Sequence, residues 1–397
     1  MEFLPDRDHD LFSAAPITAA VFVLRGDETS EPYVGKTSHL RRRLQRLLGA
    51  AEGHGRKLNL RDRVRAVEWT STGSDLEASL VLYKTIRREF PRNYTDRLRF
   101  RFAPLVKLIL DNPYPRATVT TRLSGRKSPS QYFGPFFTRA AAEKFANDSL
   151  DFFKMRRCTD DLHPDPAFPG CIYSEMKMCL APCFKGCTEE EYSAEVERVQ
   201  EYFATGGQSL VREISRQRDE ASAGLDFEGA AALHVRLDKV KSVAAQVPEI
   251  VRRLDELNGV MIQPSAEADS VALFKIAAGV ISDPVRLELS SKAEAAHMQA
   301  RPQSMEARIS EALAAVEAPK MQSALEWMEH LALLKRWYYR TVKTGELFLA
   351  DSKEDLPMRR VVRGVSRVFK GEKPALDLSE TAGDYWRYRA LEGGVKP

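Results

Sequence analysis

Five cysteines fall within 30 residues of a 397-residue chain: Cys158, Cys171, Cys179, Cys183 and Cys187. The first four follow C-x12-C-x7-C-x3-C. Thiolates are soft ligands, and four of them could hold zinc or an iron–sulfur cluster. The paired C-x2-C knuckles of zinc ribbons are absent, and spacing alone does not decide between the two. The surrounding stretch 158–187 is rich in proline, irregular in pattern, and hard to order without a bound ligand. A second group is cationic. Tyr33-Val34-Gly35-Lys36 is followed by Arg41, Arg42, Arg43 and Arg46, donors suited to phosphate. A third stretch, Leu225 to Leu233 running on to Leu237, sets apolar residues among acids, as a helix that meets a partner does.

Local patterns place these groups. Residues 17–24 read as a buried strand, 25–32 as a turn, and Tyr33-Val34-Gly35 as its return strand. Ser38 is expected to cap a helix with Leu40, Leu44, Leu47 and Leu48 on one face. Residues 64–70 read as a third strand. Ser74 and Glu77 form an S-x-x-E capping box opening a helix that ends before Pro91. Residues 116–122 alternate as a strand. Residues 139–155 have helical spacing, with Phe145, Leu150 and Phe153 as core. Helices are expected over 189–203 and 209–223, and a third capped by Asp226, the last two closing a hairpin around Gly224-Leu225-Asp226. Beyond Pro248, strands are expected at 258–263, 270–277 and 284–289, and helices at 304–316 and 320–340.

Charge is unevenly spread. Net charge is +4, yet Lys36 to Arg157 holds 27 basic and 11 acidic residues, and Thr188 to Ala230 holds 4 basic and 11 acidic. A basic front half favours a polyanion as partner. No apolar run approaches the roughly 18 residues of a membrane helix. The acidic start MEFLPDRDHD lacks a secretory pattern, so a cytoplasmic location is expected, and there a disulfide framework is disfavoured.

The Tyr33-Val34-Gly35-Lys36 strand with its arginine-rich helix resembles the GIY-YIG nuclease family, and in particular the N-terminal part of the bacterial UvrC excinuclease family. The cysteine pattern, with Tyr132-Phe133-Gly134-Pro135-Phe136 before it and Glu189-Glu190-Glu191-Tyr192 after it, resembles the same family. So does Leu225–Leu233, which is similar to the UVR motif through which UvrC engages UvrB. The similarity spans roughly residues 15 to 250.

The resemblance implies catalytic roles for Tyr33, Lys36 and Arg43 around one Mg²⁺ or Mn²⁺. A tyrosine would serve as general base, cations would stabilise the phosphorane, and a glutamate would hold the metal. It implies DNA contacts from Lys36, Arg41, Arg42, Arg43 and Arg46. It implies a [4Fe–4S] cluster on Cys158, Cys171, Cys179 and Cys183, with zinc as the alternative, and a UvrB-like partner on residues 209–247. Two positions depart from the family. Phe22 stands where the first-strand tyrosine is expected, and Leu82 where the metal-binding glutamate is expected. Glu77, five positions away on that helix, and Glu89, seven away, would each need an altered geometry.

The expected fold is a multidomain α+β chain. Residues 1–110 form a small GIY-YIG-like domain and 111–190 a Cys-rich cluster-binding region with a basic strand and loop. Residues 191–250 form helices that include the hairpin, and 251–397 a C-terminal α+β region of unknown role. The second nuclease centre and helix-hairpin-helix units of UvrC are not found: Asp351, Asp355, Asp377 and Asp384 lack the strand framework that two-metal chemistry needs. His163, His234, His297 and His330 are isolated and receive no chemistry. The reading that follows is a DNA-binding excision-repair relative with a degenerate nuclease site. An active single-strand endonuclease and an iron–sulfur regulator acting on nucleic acid are the alternatives.

Overall fold

A computed structural model describes residues 1–50, 58–124, 128–159, 162–289, 303–317, 323–351 and 355–372. Asp377, Asp384 and His297 lie outside these.

The first unit is an antiparallel sheet of order β2-β1-β3, built from β1 (Ala20–Arg25), β2 (Tyr33–Thr37) and β3 (Ala66–Ser71). Helix α1 (Asp8–Ala14) and helix α2 (Leu40–Leu48) cover one face, and α3 (Asp75–Glu89) the other. All four leucines expected on α2 are buried, in one core with Phe22 and Leu24, each contributing about 1.5–3 kcal/mol. The α2 cap differs from expectation. It falls on His39, whose backbone N–H is accepted by Thr37 Oγ1 at 3.2 Å, and Ser38 does not serve. On α3, Ser74 Oγ accepts the Glu77 N–H at 3.1 Å as expected. The reciprocal half is shifted by one residue, since Glu77 accepts the Gly73 N–H at 2.7 Å.

The second unit is a sheet of order β5-β4-β6-β7, from β4 (Leu105–Ile109), β5 (Arg116–Thr120), β6 (Gln131–Gly134) and β7 (Arg252–Arg253). A short helix, α4 (Tyr94–Leu98), leads into it. Strand β4 belongs to this sheet, although residues up to 110 read in sequence as part of the first unit. Helix α5 (Arg139–Leu150), the short α6 (Ile172–Glu175) and α7 (Glu189–Ala204) follow, then the hairpin α8 (Gln208–Ala223) and α9 (Phe227–Ala245). One core joins Val106, Phe133, Phe145, Tyr192, Leu210 and Leu237. The hairpin is thus rooted in the same core as the cysteine-bearing segment.

The third unit is a sheet of order β10-β9-β8-β11, from β8 (Gly259–Pro264), β9 (Ser270–Ala277), β10 (Val280–Glu288) and β11 (Glu346–Leu349). Helices α10 (Met305–Ala314) and α12 (Met358–Phe369) pack on one face, and α11 (Ala324–Tyr338) on the other. The core beneath α11 also takes Leu76, Leu80 and Tyr83 of α3. The first and third units therefore share a core.

Candidate functional site

Strand pairing decides what the Tyr33 group can do. Tyr33 pairs with Leu24, Gly35 with Phe22 and Lys36 with Val21. Side chains alternate along a strand, so Tyr33 lies on the α2 face and Lys36 on the α3 face. Tyr33 Oη accepts from Arg43 Nη2 at 2.9 Å, so these two predicted residues meet. Lys36 instead donates to Asp75 Oδ1 at 2.8 Å and to Ser79 Oγ at 3.1 Å. Asp75 also pairs with Arg340, beyond the end of α11. Burial works to raise the Asp75 pKa, but Lys36 and Arg340 outweigh it and hold the carboxyl below its usual range. Sequence reasoning passed over Asp75. Its only local signal was its place in the first turn of α3, where an acid suits the helix dipole.

Phe22 is fully buried, with its ring 6.0 Å from that of Tyr33. A Cβ on Gly35 would come within 3.1 Å of Phe22 Cζ, so a side chain at position 35 would press on the Phe22 ring. Leu82 offers no ligand. Glu77 is buried on the Gly73 amide, and burial raises its pKa. Glu89 forms a two-point pair with Arg25 of β1, both contacts at 2.9 Å. That pairing holds its pKa low. Glu77 and Glu89 are thus both engaged elsewhere.

Of the arginines expected on DNA, Arg41 is spent on the carbonyls of Ala15 (2.9 Å) and Ser13 (3.1 Å) at the end of α1. Arg42 and Arg46 are exposed, with no hydrogen bond or ion pair among the described residues.

The cysteines are drawn together by irregular backbone. Leu180 N–H donates to Lys154 O at 3.0 Å and Asp165 N–H to Cys183 O at 2.9 Å. The Cys179 thiol is pushed up to about 11, first by burial and then by the sulfurs of Cys158, Cys183 and Cys171, so the other three bear on Cys179. Two donors reach sulfur. Arg156 Nη1 lies 3.4 Å from Cys158 Sγ, and the Ala181 amide 3.3 Å from Cys179 Sγ. Among the described residues, no group of three or more His, Cys, Asp or Glu is arranged to hold a metal ion. Four thiols are donors suited to zinc or to an iron–sulfur cluster alike.

The hairpin turns at Leu225, in the left-handed region at φ 61. Asp226 caps α9, its Oδ1 accepting the Gly229 N–H at 2.9 Å. The apolar stripe divides. Leu237 and Val240 are buried at the base, while at the tip Leu225 is 74% and Phe227 66% exposed.

Residues 104–202, which carry β4, β5 and β6 of the second sheet, the cysteines and most of α7, match the family described as the UvrC/Cho excinuclease middle domain. The central unit of this chain is therefore of the UvrC/Cho middle-domain type. The chain belongs to the UvrC family. The UvrABC system protein C of Oleidesulfovibrio alaskensis is 28% identical over 68% of this chain and 38% of its own. That of Trichlorobacter lovleyi is 29% identical over 56% of this chain and 36% of its own. That of Alcanivorax borkumensis is 28% identical over 53% and 34%. The chain thus spans somewhat more than a third of the length of these relatives. No solved structure matches. No described helix is long and apolar enough to cross a membrane.

Proposed function

We propose that this protein is a DNA-binding member of a nucleotide excision repair system. In this reading its GIY-YIG-like unit grips phosphate without cutting, and its hairpin docks a UvrB-like partner. The observation that carries the non-cutting reading is the pairing of Lys36. A catalytic lysine must be free to meet a phosphoryl oxygen, and this one faces Asp75, which also takes Arg340. Phe22 and Leu82 support the same reading, since neither can position a nucleophile or a cation. Exposed Arg42 and Arg46 supply the phosphate contacts, and Tyr33 and Arg43 brace the strand against α2.

The four thiols of Cys158, Cys171, Cys179 and Cys183 would hold a [4Fe–4S] cluster, with zinc as the alternative. The cluster would crosslink loops that build little core of their own. Leu225 and Phe227, exposed beside Asp226 and Glu228, suit a partner helix that covers apolar side chains between charges.

The test is a nicking assay on supercoiled and lesion-bearing duplex with Mg²⁺ or Mn²⁺, run beside capture of a UvrB-like protein. No metal-dependent nicking is expected, and Leu225→Ser with Phe227→Ser should reduce capture at least tenfold. Nicking lost in Tyr33→Phe and Arg43→Ala would instead establish an active endonuclease.

A further inference from the structure

The chain leaving α4 alternates cation and ring: Arg97, Arg99, Phe100, Arg101, Phe102. Arg99 ends α4 in the left-handed region at φ 48, just before the two phenylalanines. Their rings lie nearly parallel, with centroids 6.4 Å apart and planes 23° apart. Phe100 is anchored from beneath by the edge of Tyr83, 5.7 Å away. With Thr95, Asp96 and Arg99, the two rings line an open groove of about 430 Å³. Clefts of roughly 300–1,000 Å³ hold small ligands.

The charge is right for an anion. Arg97 is committed to Glu31 at 2.6 Å and lies over the Phe90 ring at 3.7 Å. Arg99 and Arg101 are exposed, and their guanidinium groups make no ion pair or hydrogen bond among the described residues. Lys335 Nζ donates to Phe102 O at 3.2 Å, and its pKa is lowered by burial and then by Arg101. Positive charge is therefore crowded here, against the single carboxylate of Asp96 in the lining.

We propose that this groove binds an unpaired segment of DNA, with a base stacked on the Phe100–Phe102 pair and the flanking phosphates on Arg99 and Arg101. A purely phosphate-reading surface has no use for parallel rings. In a duplex each base face is already covered by its neighbours, so an unpaired strand is the form of DNA with a face to offer. Stacking of this kind is tolerant of sequence and strengthened by adjacent arginine. The inference rests on the DNA-binding reading above and adds to it a second contact, separate from Arg42 and Arg46 on α2, that selects strandedness.

The test uses the full chain and fluorescence anisotropy with labelled oligo(dT), oligo(rU) and a duplex of equal length. Phe102→Leu should weaken oligo(dT) binding about tenfold, a 1.4 kcal/mol loss within the range measured for stacked bases, and change duplex binding less than twofold. Phe102→Trp should keep oligo(dT) affinity and show fluorescence quenching by oligo(dT), beyond that of the unsubstituted chain, that the duplex does not cause. Duplex binding with oligo(dT) affinity and fluorescence unmoved by either change would overturn this inference and leave the DNA-binding reading standing. Binding of neither nucleic acid would overturn both. Tighter binding of oligo(rU) than of oligo(dT) would overturn the assignment to DNA.

Discussion

Tyr33 and Lys36 stand three residues apart on one strand, and this separation sends them to opposite faces of the sheet. At the residue scale that parity matters more than the identity of either side chain. Tyr33 joins Arg43 on the α2 side, and Lys36 joins Asp75 and Ser79 on the α3 side. The residue types were readable from the chain, and the carboxylate that occupies Lys36 was not. His330 makes the same point. It is isolated in sequence, yet it is 4% exposed, and its Nδ1 accepts the Ile281 N–H at 3.2 Å. Burial lowers its pKa to about 4. The unfolded chain, with an ordinary histidine near 6.5, binds the proton first. Stability from this group is therefore full above pH 6.5 and falls as pH drops toward 4, by about 3 kcal/mol in all. His330→Gln should flatten the difference in melting temperature between pH 6.5 and 4.5. An unchanged pH dependence in the variant would remove His330 from the account.

At the scale of elements, the cysteine segment is a series of short turns tied to its neighbours. Its backbone bonds to Lys154, and Tyr192 of α7 donates to Pro115 O at 2.7 Å while accepting the Arg156 N–H at 3.1 Å. Neutral thiols buried together gain little, and burial pushes Cys179 toward the neutral form. A bound cluster would reverse that, taking thiolates and releasing protons. Protein purified without oxygen should hold iron and sulfide in equal amounts, and Cys179→Ser should lose most of both and melt several degrees lower. Stoichiometric zinc without iron would refute the cluster. The helices bearing on this segment were visible from their period, and Asp226 caps α9 as expected, while the Thr188–Glu191 capping box of α7 went unread. Strands β6 and β11 were not seen. Each is four residues long, too short for alternation to declare itself.

At the scale of the whole molecule, the first and third units are joined by a buried polar contact. Tyr83 of α3 donates to Glu329 of α11 at 2.7 Å across 246 residues of sequence, and Arg87 Nη1 donates to Tyr83 Oη at 2.9 Å. Glu329 is fully buried, so its carboxylate depends on such donors. Tyr83→Phe should cost about 1–3 kcal/mol in denaturant unfolding. Stability equal to the parent would show that the shared apolar core alone holds the units together.

The sequence by itself determined the family resemblance, the caps of α3 and α9, the leucine face of α2, the thiol set and the apolar residues at Phe22 and Leu82. All of these are written in residue type and near-neighbour spacing. Only the tertiary structure decided that Asp75 and Arg340 meet at Lys36, that β4 serves the second sheet, and that Phe100 and Phe102 align over an open groove. Those outcomes depend on which distant surfaces pack together, and the free energy of that packing is not carried by any local window of the chain.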